Sequence, residues 1–322
     1  MAHQKHFVTT SDNVKLEYID TGEGPVIVMI PGGVGGPPEM YDSLIENLSR
    51  DHRTVSVGSR GTGLSGRPDW GFNVFRHARD IYDTITALDL DDVTLFGYSG
   101  GQDIVLAYYE IFRGERVSKL ILGDNPPANV FHPKWSRERI LNSGSYATPE
   151  QWYTFCQMVG DTSLFALQTS KGAEAVNGDH MIDMCVSHGG QDWMGLCGSI
   201  EIPSLIIRGN TSNNGTERGA KWMNWAIKGS RLAIIEGDHM TAMQGDGIND
   251  VIRDFIATGD KSFEADRSAA LSDTAPFDEP FDEDAPIKSC AGSDLEMLEQ
   301  MIASGQLPGN PMEYVQSTRD SA

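Results

Sequence analysis

Apolar positions along the chain fall into two kinds of run. Val26 to Ile30 and Val93-Thr94-Leu95-Phe96 are continuous β-branched or apolar stretches, as strands covered on both faces require. Thr54 to Val57, Lys119 to Leu122, Ser204-Leu205-Ile206-Ile207-Arg208 and Leu232-Ala233-Ile234-Ile235 extend the series. Val14 to Asp20 alternates instead, and with residues 6 to 10 it reads as a half-exposed edge hairpin around Ser11-Asp12-Asn13. Between strands, Phe75, Ala78, Ile81, Tyr82, Ile85 and Leu88 recur every three or four residues, which predicts a helix with one buried stripe. Further helices are predicted over Tyr41 to Leu48, from near Asp103 through Phe112, and over Ile248 to Ile256. Strand and helix alternate, so right-handed β-α-β units and an α/β fold with a mostly parallel sheet of eight strands are expected.

The alternation breaks in two places. From Ala128 to about Gly198 the strand signal disappears, while Trp135, Trp152, Tyr153, Phe155, Met158, Phe165, Met181, Met184 and Trp193 sit among helix formers. This predicts an inserted helical cap over residues 128–198 that divides a core of residues 1–127 and 199–258 and encloses an apolar pocket. Residues 259–322 form an acidic extension. Asp278 to Asp284 should be extended there, whereas Ser293-Asp294-Leu295-Glu296 is a capping box for a short helix ending at Gly305. A helix this short needs something to dock on, and its own body or a second protomer would serve, so a homodimer through the extension is one expectation.

Charge narrows the partners. The formal net charge is −21, which repels nucleic acid and anionic membrane surfaces and leaves a small-molecule substrate as the expected partner. Four cysteines, Cys156, Cys185, Cys197 and Cys290, form no C-x-x-C pair, which suits a reducing, cytoplasmic compartment. The first residues lack an apolar h-region, and no stretch reaches 18 uninterrupted apolar residues. His180, Cys185, His188 and Cys197 match no familiar ligand spacing, so no metal or other cofactor is expected.

The chemistry is expected where strands end. Gly97-Tyr98-Ser99-Gly100-Gly101 stands where a strand turns into a helix, a context that forces strained backbone on the serine and exposes its hydroxyl. Ser99 is the candidate nucleophile. A base must take its proton, an acid must orient that base, and N–H donors must meet the developing oxyanion. His239 follows the last strand, and no other histidine beyond the insertion competes with it. Gly33, in the glycine-rich Pro31-Gly32-Gly33-Val34-Gly35-Gly36, and Gly100 would supply the oxyanion donors. Val34, Tyr98, Trp135, Trp152, Trp193 and Met240 are the expected substrate contacts.

Pro31-Gly32-Gly33 after a strand, Arg60-Gly61-Thr62-Gly63-Leu64-Ser65, the serine elbow, the cap insertion and Gly237-Asp238-His239 together resemble the α/β-hydrolase superfamily over residues 6 to 258. The resemblance implies the α/β-hydrolase fold and a serine hydrolase. This chain departs from it at Gly58, where an acid is common, and at Pro31-Gly32, where His-Gly is common. Most members also carry the triad acid after the strand equivalent to Ser204 to Arg208, yet here that loop reads Gly209-Asn210-Thr211-Ser212-Asn213-Asn214-Gly215. A minority branch uses an acid at the end of the preceding strand, where Asp124 stands. The resemblance thus implies Asp124, with an asparagine of the 210–214 loop as the alternative support for His239. Asp124-Asn125-Pro126 is most similar to the fungal zearalenone lactone hydrolases, which points to a lactone or another bulky apolar ester. Two other readings stay open: a lyase or cyclase using His-Asp acid–base chemistry on the same scaffold, and a non-catalytic ligand-binding receptor.

Overall fold

The computed structural model describes residues 3–33, 35–128, 178–212, 214, 217–239 and 246–268. Its eight strands are β1 (Lys5–Thr9), β2 (Lys15–Thr21), β3 (Val26–Ile30), β4 (Arg53–Val57), β5 (Val93–Tyr98), β6 (Val117–Gly123), β7 (Ser204–Gly209) and β8 (Arg231–Ile235). They form one sheet in the order β1-β2-β4-β3-β5-β6-β7-β8. The β1–β2 and β2–β4 pairs are antiparallel and the remaining pairs are parallel. The α/β-hydrolase fold that the resemblance implies is therefore the observed one.

Successive residues of a strand point to opposite faces, and the parallel strands are apolar on both. Val28, Ile30, Leu95, Leu120, Leu122 and Ile206 pack into one core layer, Ile27, Met29, Phe96, Tyr98, Ile121 and Ile207 into the other. Helix α2 (Val74–Ala87) and α3 (Gly100–Phe112) cover the first face; α1 (Asp42–Leu48) and a long C-terminal helix cover the second. Asn73 caps α2 by accepting the Arg76 N–H at 2.8 Å. Between β6 and β7 the described chain contains α4 (Gly178–Gly189) and α5 (Met194–Cys197). Most of the predicted cap, with Trp135 and Trp152, lies outside the described residues, as does the extension beyond residue 268.

Two elements differ from the sequence reading. A helix α6 (Glu217–Ala226) joins β7 to β8 where none is predicted. The last described helix, α7, runs over Asp246–Ser268 rather than ending at Ile256. Its apolar stripe stops near Ile256, but the stripe marks what is buried, and helical backbone continues past it among polar residues. No described helix is long and apolar enough to cross a membrane.

Candidate active site

The site is built at the C-terminal edge of the parallel strands. Ser99 joins β5 to α3 with φ 55° and ψ −133°, a backbone that non-glycine residues seldom adopt. The turn is held by the Ser99 N–H donating to the Gly123 carbonyl at 2.7 Å. Its neighbours have no room for side chains: a Cβ on Gly97 would lie 2.3 Å from the Gly101 oxygen, and one on Gly100 would lie 1.9 Å from the Gly33 oxygen. That second contact also locates the loop after β3. A Cβ on Gly32 would come within 3.3 Å of the Ser99 Cβ, so the backbone of the Gly32–Gly33 turn borders the serine directly.

Asp124 follows β6, and its backbone N–H donates to the Ile207 carbonyl of β7 at 2.8 Å. Its side chain is fully buried. His239, placed by the turn after β8, bridges the two: Nδ1 lies 2.8 Å from Asp124 Oδ2 and Nε2 lies 3.0 Å from Ser99 Oγ. These distances suit the tautomer with its proton on Nδ1, which donates to the carboxylate and leaves Nε2 to accept from the Ser99 hydroxyl.

The structure puts the Asp124 carboxylate, not an amide, against Nδ1. The 209–215 loop contributes differently. Asn214 Nδ2 donates to the Asp124 carbonyl at 2.6 Å, and it lies 3.3 Å from Asn125 Oδ1 and 3.5 Å from His239 Nε2. Asn210 Oδ1 accepts the Gly237 N–H at 3.0 Å and so steadies the turn that carries His239.

Two of the expected substrate contacts are buried side chains. Tyr98 is buried at 1 % exposure beneath the triad, where its hydroxyl lies 2.9 Å from the His239 carbonyl and 3.2 Å from Asp124 Oδ2. Burial first, and then the Asp124 charge, push its pKa upward, so the hydroxyl keeps its proton and acts as a donor. Trp193 is likewise buried, and its indole N–H donates to Asp103 Oδ1 at 2.8 Å. Val34, Trp135, Trp152 and Met240 lie outside the described residues.

A second buried pair adjoins the first. His188 of α4 sets Nδ1 2.8 Å from Asp103 Oδ2, and Asn125 Nδ2 reaches the same oxygen at 3.4 Å. Asp103 thereby fastens α4 and Trp193 to the first turn of α3. His180 stacks on Phe72 with ring centroids 3.9 Å apart, so these two histidines of the insertion have other duties than sharing a ligand. Asp12, Asp80 and Asp83 come close enough to hold a cation, but Arg60 and Arg76 already pair with all three.

Comparison with known proteins agrees with the fold. The family model for the alpha/beta hydrolase fold matches residues 25–147. A putative non-heme chloroperoxidase from Synechocystis sp. is 26 % identical over 267 residues, which cover 76 % of this chain and 96 % of that protein. Serine hydrolase BPHL of Mus musculus is 26 % identical over 270 residues, covering 76 % and 84 %. Among solved structures, an esterase from Exiguobacterium antarcticum superposes with a TM-score of 0.64 at 23 % identity, covering 79 % of this chain and all of that one.

Proposed function

From a chain with the α/β-hydrolase fold and hydrolases among its relatives, we propose a serine hydrolase that cleaves an ester or lactone of a bulky apolar small molecule through an acyl-enzyme. The observation that carries the reading is the continuous relay from Asp124 Oδ2 through His239 to Ser99 Oγ, at 2.8 and 3.0 Å.

In this reading Ser99 Oγ attacks the substrate carbonyl carbon while its proton passes to His239 Nε2. Asp124 accepts the Nδ1 proton as a hydrogen bond and balances the imidazolium that forms. The carbonyl oxygen becomes an oxyanion that the Gly33 and Gly100 N–H groups receive, each donor being worth about 10²- to 10³-fold in rate. Collapse expels the alcohol oxygen, which takes the proton from Nε2. With a lactone that alcohol stays tethered to the acyl group. Water, deprotonated by His239, then releases the acid and restores Ser99.

The substrate class rests on sequence features: the aromatic and methionine content of residues 128–198, and the likeness of Asp124-Asn125-Pro126 to the zearalenone lactone hydrolases. A fluorophosphonate probe tests the mechanism. It should label Ser99 and fail to label Ser99→Ala, and that substitution should lower hydrolysis of activated esters and lactones by several orders of magnitude. A reaction that survives Ser99→Ala would select the lyase or cyclase alternative. Ligand binding without turnover across the panel would select a receptor.

A further inference from the structure

Asp124 leaves β6 with φ 45°, a left-handed backbone that residues with side chains seldom adopt. In the β6–β7 register Gly123 lies opposite Ile207, so Asp124 and Arg208 emerge side by side at the sheet edge. Each polar group of Asp124 is then held. Its N–H donates to the Ile207 carbonyl at 2.8 Å. Its carboxylate has His239 Nδ1 at 2.8 Å from Oδ2 and Arg208 Nη1 at 3.5 Å from Oδ1. Its carbonyl, past the last paired residue of the strand, accepts from Asn214 Nδ2 at 2.6 Å.

Asn214 is fixed in turn. It is buried, its backbone N–H donates to Ser212 Oγ at 3.1 Å, and the Ser212 carbonyl accepts from Arg208 Nη2 at 2.8 Å. Asn214 Nδ2 also lies 3.3 Å from Asn125 Oδ1, and Asn125 turns its own Nδ2 toward Asp103 Oδ2 at 3.4 Å. His239 Nε2 stands 3.5 Å away. Asn214 Nδ2 thus meets a main-chain oxygen, an amide oxygen and an imidazole nitrogen that accepts. The place calls for a donor, and a carboxylate there would face the Asp124 and Asn125 oxygens with no proton to share.

We infer that Asn214 is a positioning residue that locks Asp124 in its left-handed conformation and thereby aims the carboxylate at His239. This rests on the reading of Asp124 as the acid of a serine hydrolase. With the Asp124 N–H pinned to β7, rotation about N–Cα carries the carbonyl and Cβ together. A hold on the carbonyl is therefore a hold on the side chain. Relaxation to an ordinary negative φ would turn Cβ by about 100°, which takes the carboxylate away from Nδ1.

The test uses Asn214→Ala and the similarly sized Asn214→Leu and Asn214→Asp, each alone and in the Asp124→Ala background, with a p-nitrophenyl ester as substrate and a crystal structure of each folded single variant. The single variants should lose about 10- to 100-fold in kcat, as a displacement near 1 Å costs, with KM within about threefold of wild type. In the Asp124→Ala background no carboxylate is left to aim, so the same changes should alter kcat by less than about twofold. The crystal structures should show Asp124 at negative φ, or its Oδ2 beyond hydrogen-bond reach of His239 Nδ1. Unchanged kcat in a folded single variant, or an equal loss in both backgrounds, overturns the inference. Asp124 unmoved, still left-handed and bonded to Nδ1, also overturns it. Failure of all three variants to fold overturns it as well, because a bond whose task is to set one main-chain angle is not required for the fold. The crystallographic readout needs no turnover, so failure of the serine-hydrolase reading, seen as absent fluorophosphonate labelling in wild type, is distinguishable from failure of this one.

Discussion

Gly100→Ala tests the tightest contact around Ser99. A Cβ there would stand 1.9 Å from the Gly33 carbonyl oxygen, 2.9 Å from its carbon and 3.3 Å from its nitrogen. Ordinary contact begins at 3.4 Å, so the two backbones must part by about 1.5 Å. No flexible side chain can absorb that movement, because every crowded atom belongs to the Gly33 main chain. Both N–H groups proposed for the oxyanion ride on the segments that separate. Loss of one such donor costs about 10²- to 10³-fold, and a displacement near 1 Å costs about 10²-fold. The variant should therefore lose at least about 10²-fold in kcat, with KM changed by less, while overpacking lowers stability by about 1–3 kcal/mol. Steady-state hydrolysis of a p-nitrophenyl ester and the rate of fluorophosphonate labelling measure the loss, and circular dichroism melts verify the fold. Gly247→Ala is the control, since nothing lies within 4 Å of a Cβ at that position in α7. A folded Gly100→Ala protein within threefold of wild-type kcat would refute the proposed oxyanion geometry.

Tyr98→Phe removes the hydroxyl that reaches the His239 carbonyl and Asp124, and should lower stability by about 1 kcal/mol and kcat more than KM; urea unfolding and steady-state kinetics read the two effects. Asp103→Ala leaves the His188 ring and the Trp193 indole N–H without their buried acceptor and should destabilise the protein by about 3–5 kcal/mol, read as a fall in the urea midpoint. His77 is buried, and burial, followed by the charges of Arg60, His188 and Arg76, holds its imidazole well below the ordinary histidine range. The unfolded chain therefore binds one more proton than the native state once the pH drops below about 6.5, and stability falls with pH by up to about 1.4 kcal/mol per unit from this group, down to its native value. Urea midpoints collected from pH 7 to pH 5 should fall less steeply for His77→Gln; identical slopes would show that His77 does not contribute.

Much of the sheet was legible because parallel strands covered on both sides must be continuously apolar, and β3 and β5 are. The elbow was legible because glycine is demanded at positions 97 and 100 by contacts under 2.5 Å. The acid required the strand framework: only as the residue after β6 does Asp124 become a neighbour of the loop carrying His239. Tyr98 stands next to Ser99 in sequence and is expected as a substrate contact. Strand periodicity points the other way, since Phe96 and Tyr98 are two apart and share the inner face. Trp193 could not be placed from sequence, because its partner Asp103 lies 90 residues away. Arg208 was visible only as the charged end of an apolar run, and its register with Asp124 fixes what it meets. Helix α6 escaped because its apolar residues, Ala220, Trp222, Met223, Trp225 and Ala226, span barely two turns.

The strand–helix–strand unit from Val93 to Asp124 has a consequence for the order of assembly. Ser99, Gly100 and Asp124 all lie within it, and the Ser99 N–H to Gly123 carbonyl bond closes it from inside. Contacts of short sequence separation cost little loop-closure entropy and form early. His239 pairs with Asp124 across 115 residues and with Ser99 across 140. The elbow and Asp124 are thus local in sequence, and His239 is the long-range contact that, in the proposed mechanism, would arm them. An opening that releases the turn after β8 would, in the proposed mechanism, disarm Ser99 while the elbow stays folded, so in hydrogen exchange the amides of residues 93–124 should outlast those around residue 239.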